Sequence, residues 1–112
     1  MNRSNCFYEI ERVEGTVRVV LFGEMDHHNA VAVRSELDRL IMEERPSKVA
    51  IDLSGIGFMD SSGLGFVMGR YSLMQKLGGE FVLENPNDRI VKIFELAGLQ
   101  RIIKIEKREE IK

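Results

Sequence analysis

Apolar and polar side chains alternate from Phe7 to Val13, a turn follows at Glu14–Gly15, and Val17 to Phe22 is rich in β-branched residues. Period-two alternation, a glycine turn and a second β-branched run predict a hairpin. From Ala30 onward Val33, Leu37, Leu40 and Ile41 recur at helical spacing and Pro46 marks the exit, which predicts a first helix over roughly residues 29–44. Val49, Ala50, Ile51 and Leu53 form a short, nearly continuous apolar run, the pattern of a strand covered on both faces in a parallel sheet. Ser61 or Ser62 is the expected cap of a second helix, which carries Leu64, Val67, Met68, Tyr71 and Met74 before Gly78–Gly79. Phe81–Leu83 is a third buried run. Asn85–Pro86–Asn87 then turns the chain into a third helix with Ile90, Val91, Phe94 and Ala97 on its apolar face and Gly98 as its stop. Ile102 to Ile105 reads as a last strand, and the charged tail after about residue 106 is expected to fray.

The predicted order is β-β-α-β-α-β-α-β, without linker, repeat or low-complexity segment. Helical crossovers imply mainly parallel, right-handed connections, with the first strand added antiparallel at an edge. The expectation is one small α/β domain over residues 1–112, with a mixed, mostly parallel sheet.

Composition narrows the function classes. A chain of 112 residues has room for one core and no separate substrate domain. Sixteen basic and eighteen acidic side chains, interleaved along the chain, give a net charge of −2 and no basic block for nucleic acid or a membrane surface. The single cysteine, Cys6, has no internal disulfide partner and is expected as a small apolar strand residue in a reducing compartment. Runs such as Val19–Phe22 fall far short of the roughly twenty residues of a membrane span, so a cytoplasmic protein is expected.

Ser61, Ser62, His27, His28, Asp26 and Asp60 include the residue types of a catalytic triad, but Met59 stands where a nucleophile elbow needs glycine. Asp26–His27–His28 lacks the further ligands of a metal site, and its simpler reading is that Asp26 caps or precedes the first helix, with the imidazoles in a surface loop. The glycines at 55, 57, 63 and 65 match no phosphate-binding motif and no lysine follows them. Asp52 and Asp60 flank the strand-to-helix loop as a receiver's acidic residues would, without a lysine to complete that site. Gly65, Gly69 and Ser72 share one helix face, a small-residue stripe that serves either packing within the domain or a partner's docking. Unpaired N–H groups at a helix amino end favour an anion, so Ser61 or Ser62 is also a place where a phosphate can sit without breaking the helix.

The run Ile56–Gly57–Phe58–Met59–Asp60–Ser61–Ser62–Gly63–Leu64–Gly65–Phe66–Val67–Met68–Gly69–Arg70–Tyr71 resembles the signature of the STAS-family anti-sigma factor antagonists. Gly23–His28 resembles their first loop, and Ala97–Gly98–Leu99 with Ile102–Ile103 resembles their carboxyl end. Met25, Phe66 and a shorter, more charged tail depart from the pattern. The combination of motifs is most similar to sporulation antagonists and somewhat less to general-stress antagonists. The resemblance implies a non-enzymatic partner switch: the unphosphorylated chain binds an anti-sigma factor and frees a sigma factor, and phosphorylation ends that binding. It implies Ser61 as the acceptor, where residue chemistry alone leaves Ser61 and Ser62 open. The kinase implied is the anti-sigma factor itself, of the GHKL type, which supplies ATP and Mg²⁺, so the chain needs no cofactor or metal of its own. A PPM-type phosphatase resets the switch. Asp26, His27, Asp60, Ser62, Gly63, Gly65 and Arg70 are the candidate partner contacts, Arg70 on the exposed part of the second helix. Asp60 is expected to orient Ser61, to meet the kinase's nucleotide site, or to be a turn residue before the cap. A free monomer is expected. The alternatives are a STAS switch of another signalling system and a small-ligand module on the strand-end edge.

Overall fold

The computed structural model describes residues 6–107. β1 (Cys6–Val13) and β2 (Thr16–Met25) form the hairpin, followed by α1 (His27–Glu44), β3 (Lys48–Met59), α2 (Ser61–Lys76), β4 (Glu80–Glu84), α3 (Asp88–Ala97), a 3₁₀ turn (Leu99–Arg101) and β5 (Lys104–Glu106). The five strands lie in the order β1-β2-β3-β4-β5, antiparallel between β1 and β2 and parallel thereafter. Glu14 and Gly15 both take positive φ, 48° and 84°, the conformation of a two-residue turn whose twist suits a hairpin.

Each parallel crossover steps to the next strand in the same direction, so right-handed connections place all three helices on one face of the sheet. The core lies there: Val17, Val19 and Leu21 of β2, Val49, Ile51 and Leu53 of β3, and Leu83 of β4 meet Leu37 and Ile41 of α1, Val67 and Met74 of α2, and Ile90 and Phe94 of α3. The opposite face carries a polar layer. Arg18 of β2 crosses β3 at Ala50 to bind Glu84 of β4 through two bonds, Nε–Oε1 at 2.8 Å and an η-nitrogen to Oε2 at 3.1 Å. Asp52, 4% exposed, accepts from the Ser54 amide and from the Asn85 side chain.

β3 runs six residues past Leu53, to Met59. Its second half stays paired with β2 through register shifts between Val20 and Phe22 and between Gly23 and Glu24. Gly55 belongs to that strand and not to a loop, paired with Phe22, and a Cβ there would meet the Leu21 carbonyl at 2.7 Å and the Phe22 ring at 2.8 Å. The last strand is shorter than expected: the 3₁₀ turn takes the chain to Ile102, and only residues 104–106 pair with β4. Among the described residues no helix is long and apolar enough to cross a membrane. The surroundings of the Cys6 side chain and the tail after Lys107 lie outside the described residues.

Candidate functional site

Two strand-to-helix junctions stand side by side at the carboxyl end of the sheet. Met25 ends β2 and Met59 ends β3; the two are register partners, each 1% exposed. The next residue in each case is an aspartate that caps a helix. Asp26 accepts from the Asn29 amide at 3.0 Å, and Asp60 Oδ1 accepts from the amides of Ser62 and Gly63 at 2.9 and 3.2 Å. Aspartate is among the strongest caps because its oxygen satisfies amides that lack an intrahelical partner.

This geometry corrects three expectations. The cap of α2 is Asp60, so neither serine caps, and Asp60 is not a turn residue ahead of the cap. Ser61 and Ser62 are the first and second helical residues. His27 and His28 form the exposed first turn of α1 and are not in a loop, since Asp26 starts the helix directly before them. Arg70 does not lie on an exposed part of α2. Its side chain is 6% exposed, with Nε 2.8 Å from Asp38 Oδ1 in a close charge contact lacking hydrogen-bond alignment, while one η-nitrogen donates to the Phe66 carbonyl at 3.2 Å. The guanidinium carbon lies 5.3 Å from the centre of the Phe66 ring. Burial pulls the pKa of Arg70 down, Asp38 opposes it, and the like charge of Arg34 adds to the downward pull.

The remaining candidates divide by exposure. Ser61 is exposed, and its hydroxyl has no hydrogen bond among the described residues. Gly63 is buried, since a Cβ there would land on Met59 Cγ and within 3.1 Å of Met25 Cγ, so this glycine lets α2 seat on the two methionines. Ser62, Gly65 and Arg70 line one shallow groove of about 270 Å³ between α1 and α2, opposite His27, Val31 and Arg34. A Cβ at Gly65 or Gly69 meets no atom within 4 Å beyond the helix's own backbone, so packing among the described residues does not require glycine at either position. Phe58, three residues before Ser61, is 50% exposed.

The structure thus brings His27, Ser62, Gly65 and Arg70 to one groove, with Asp26, Asp60 and Ser61 at the helix starts above the methionine pair. It does not bring Asp52 to Asp60: Asp52 belongs to the polar layer of the sheet. Neither serine hydroxyl is bonded to an imidazole, and no group of three or more His, Cys, Asp or Glu among the described residues is placed to hold a metal. Sequence reasoning missed Arg34 and Asp38. Their spacing of one helical turn on α1 was the available signal, but their proximity to Arg70 arises only when α1 packs on α2.

The STAS domain family matches residues 7–110. An anti-sigma F factor antagonist of Paenibacillus polymyxa is 35% identical over 105 residues, which cover 94% of this chain and 90% of that protein. An anti-sigma-B factor antagonist of Bacillus subtilis is 31% identical over 106 residues, 95% of each chain. Among solved structures, the unphosphorylated form of the anti-sigma factor antagonist SpoIIAA superposes with a TM-score of 0.81 at 30% identity, covering 93% of this chain and 90% of that one. The phosphorylated form of the Bacillus SpoIIAA superposes at 0.76, with 30% identity and 93% of each chain covered.

Proposed function

The chain belongs to the STAS domain family, and from that premise we propose that it is an anti-sigma factor antagonist switched by phosphorylation of Ser61. In its unphosphorylated form it binds an anti-sigma factor and so releases a sigma factor. The anti-sigma factor is a GHKL-type serine kinase that inactivates the antagonist, and a PPM-type phosphatase restores it. The antagonist acts as a cytoplasmic monomer and catalyses nothing itself. The observation that carries the reading is the exposed Ser61 hydroxyl at the first position of α2, unbonded among the described residues, in a chain 35% identical to an anti-sigma F factor antagonist.

The chemistry requires little of this chain. The Ser61 oxygen attacks the γ-phosphorus of ATP, the bond to the β,γ-bridging oxygen breaks, ADP leaves, and the hydroxyl proton passes to a base of the kinase. Mg²⁺ and the nucleotide come with that kinase. Exposure favours Ser61 over Ser62, which is partly buried in the wall of the groove.

Phosphate brings a charge of about −1.5 to −2. The amides of Ser62 and Gly63 already hold the Asp60 carboxylate, so the new dianion joins an existing negative group at the helix start and does not fill an empty cap. Its effect is therefore on what approaches the rim: charge and bulk at a contact surface, on an unchanged fold. Both forms of SpoIIAA resemble this chain with TM-scores of 0.81 and 0.76, which supports a switch without refolding. A general-stress role is the second reading, favoured by the anti-sigma-B antagonist that aligns over 95% of both chains.

The test is incubation of the purified chain with its cognate anti-sigma factor and Mg·ATP, with the phosphate located by mass spectrometry. Phosphate on Ser61, absent in Ser61→Ala, is the expected result. A folded chain that binds the anti-sigma factor but stays unmodified would refute the switch.

A further inference from the structure

No described residue fills the groove between α1 and α2: Cβ atoms built at Gly65 and Gly69 meet nothing within 4 Å beyond their own helix backbone. Glycine inside a helix is unfavourable relative to alanine, so two glycines one turn apart with no internal contact bring no benefit to the free chain. What they provide is a lowered helix surface, over which a second backbone can pass closely.

The charge around the groove is unbalanced. Arg34 and Arg70 both line it, and Asp38 at Arg70 is the carboxylate that answers them. Arg34 has no ion pair among the described residues, and its charge is felt at Arg70. Ala30, Val31 and Phe66 supply apolar walls, and Ser62 connects the groove to the start of α2.

We infer that this groove receives an acidic helix of the anti-sigma factor, its backbone seated over Gly65 and Gly69 and one of its carboxylates paired with Arg34. The occupant is helical because the groove is bounded by two helices and offers no sheet edge for a strand. It is acidic because, of the two guanidiniums that line the groove, Arg70 is answered by Asp38 while Arg34 has no ion pair among the described residues and is complemented by a carboxylate. Arg34 then sets which partner is accepted, through association rate and charge match more than through buried area. The inference rests on the proposed antagonist function, since the occupant is the protein that function names.

The test measures binding of the full chain to its ADP-loaded anti-sigma factor, with phosphorylation of Ser61 as a parallel readout. Arg34→Glu is expected to weaken binding about tenfold, chiefly in the association rate, and to flatten its salt dependence. Gly65→Leu fills the groove and is expected to cost at least as much. An anti-sigma factor with the matching carboxylate changed to Arg should restore binding to Arg34→Glu. Melting curves of both variants establish that they fold, and Arg34→Gln replaces Arg34→Glu if the latter does not. A wild-type chain that binds and is phosphorylated while Arg34→Glu and Gly65→Leu bind within twofold of it overturns the groove and leaves the antagonist reading standing. A wild-type chain that neither binds nor is phosphorylated overturns both.

Discussion

Gly65→Ala and Gly69→Ala should each make the free protein more stable. Both positions lie inside the 16-residue helix α2, neither has positive φ, and an added Cβ meets no atom within 4 Å. With no clash to offset it, the gain is the intrinsic difference between glycine and alanine in a helix, ~1 kcal/mol per site. The two sites are neighbours on one face, yet both methyls point into open groove, so the double variant should gain about 2 kcal/mol. For a domain of this size each substitution corresponds to roughly 4 °C in Tm. Urea titration is the direct assay: the midpoint should rise at unchanged slope, since the surface exposed on unfolding hardly changes. Gly63→Ala on the same helix is the internal control with the opposite sign, because its methyl would occupy the space of Met59 and crowd Met25, at a cost of about 1–3 kcal/mol. If Gly65→Ala and Gly69→Ala destabilise as Gly63→Ala does, the groove is filled in the free chain and the reasoning fails.

Other expectations follow from the caps, the charge pairs and the polar layer. Asp60→Ala should lower stability by about 1 kcal/mol in urea unfolding while Asp60→Asn stays near wild type, since the asparagine oxygen can still accept from the Ser62 and Gly63 amides. Equal losses in both would show that Asp60 does not act as the cap. Arg18→Ala should cost about 1–2 kcal/mol, because Glu84, 4% exposed, loses its two-bond partner; an unchanged urea midpoint would contradict this. The hydrogen bond from Arg12 holds the Glu44 carboxyl below its ordinary value of 4.5. That pair therefore contributes above pH 4.5 and its contribution disappears as pH falls through the lowered value, so Glu44→Gln should show a slightly shallower acid-side loss of stability than wild type.

Local chemistry made much of the fold legible. The Glu14–Gly15 turn, Pro46 and Gly98 each mark a boundary that the structure places within a residue or two. The short last strand was less so, as was β3. Its glycines at 55 and 57 look like loop residues, and only pairing with β2 across two register shifts reveals that the strand continues to Met59. At the candidate site, Asp26 was legible only as a residue that caps or precedes the first helix, because the apolar repeat begins at Ala30 and leaves His27 and His28 without a helical signal. Asp60 was obscured by two serines that are equally good caps in isolation; the aspartate takes the role because the helix begins at Ser61. The burial of Arg70 was not legible at all, since Asp38, 32 residues earlier, meets it only through the packing of α1 on α2.

The paired junctions also describe a grammar that occurs twice. Strand, buried methionine, capping aspartate and first helical residue read Met25–Asp26–His27 in one copy and Met59–Asp60–Ser61 in the other, and the methionines are register partners. His27 therefore holds in the first copy the place that Ser61 holds in the second. A serine transplanted to position 27 presents the same local backbone to an enzyme but stands on the other side of the groove. Whether a kinase accepts it distinguishes an enzyme that reads these three residues from one that reads the surface around them.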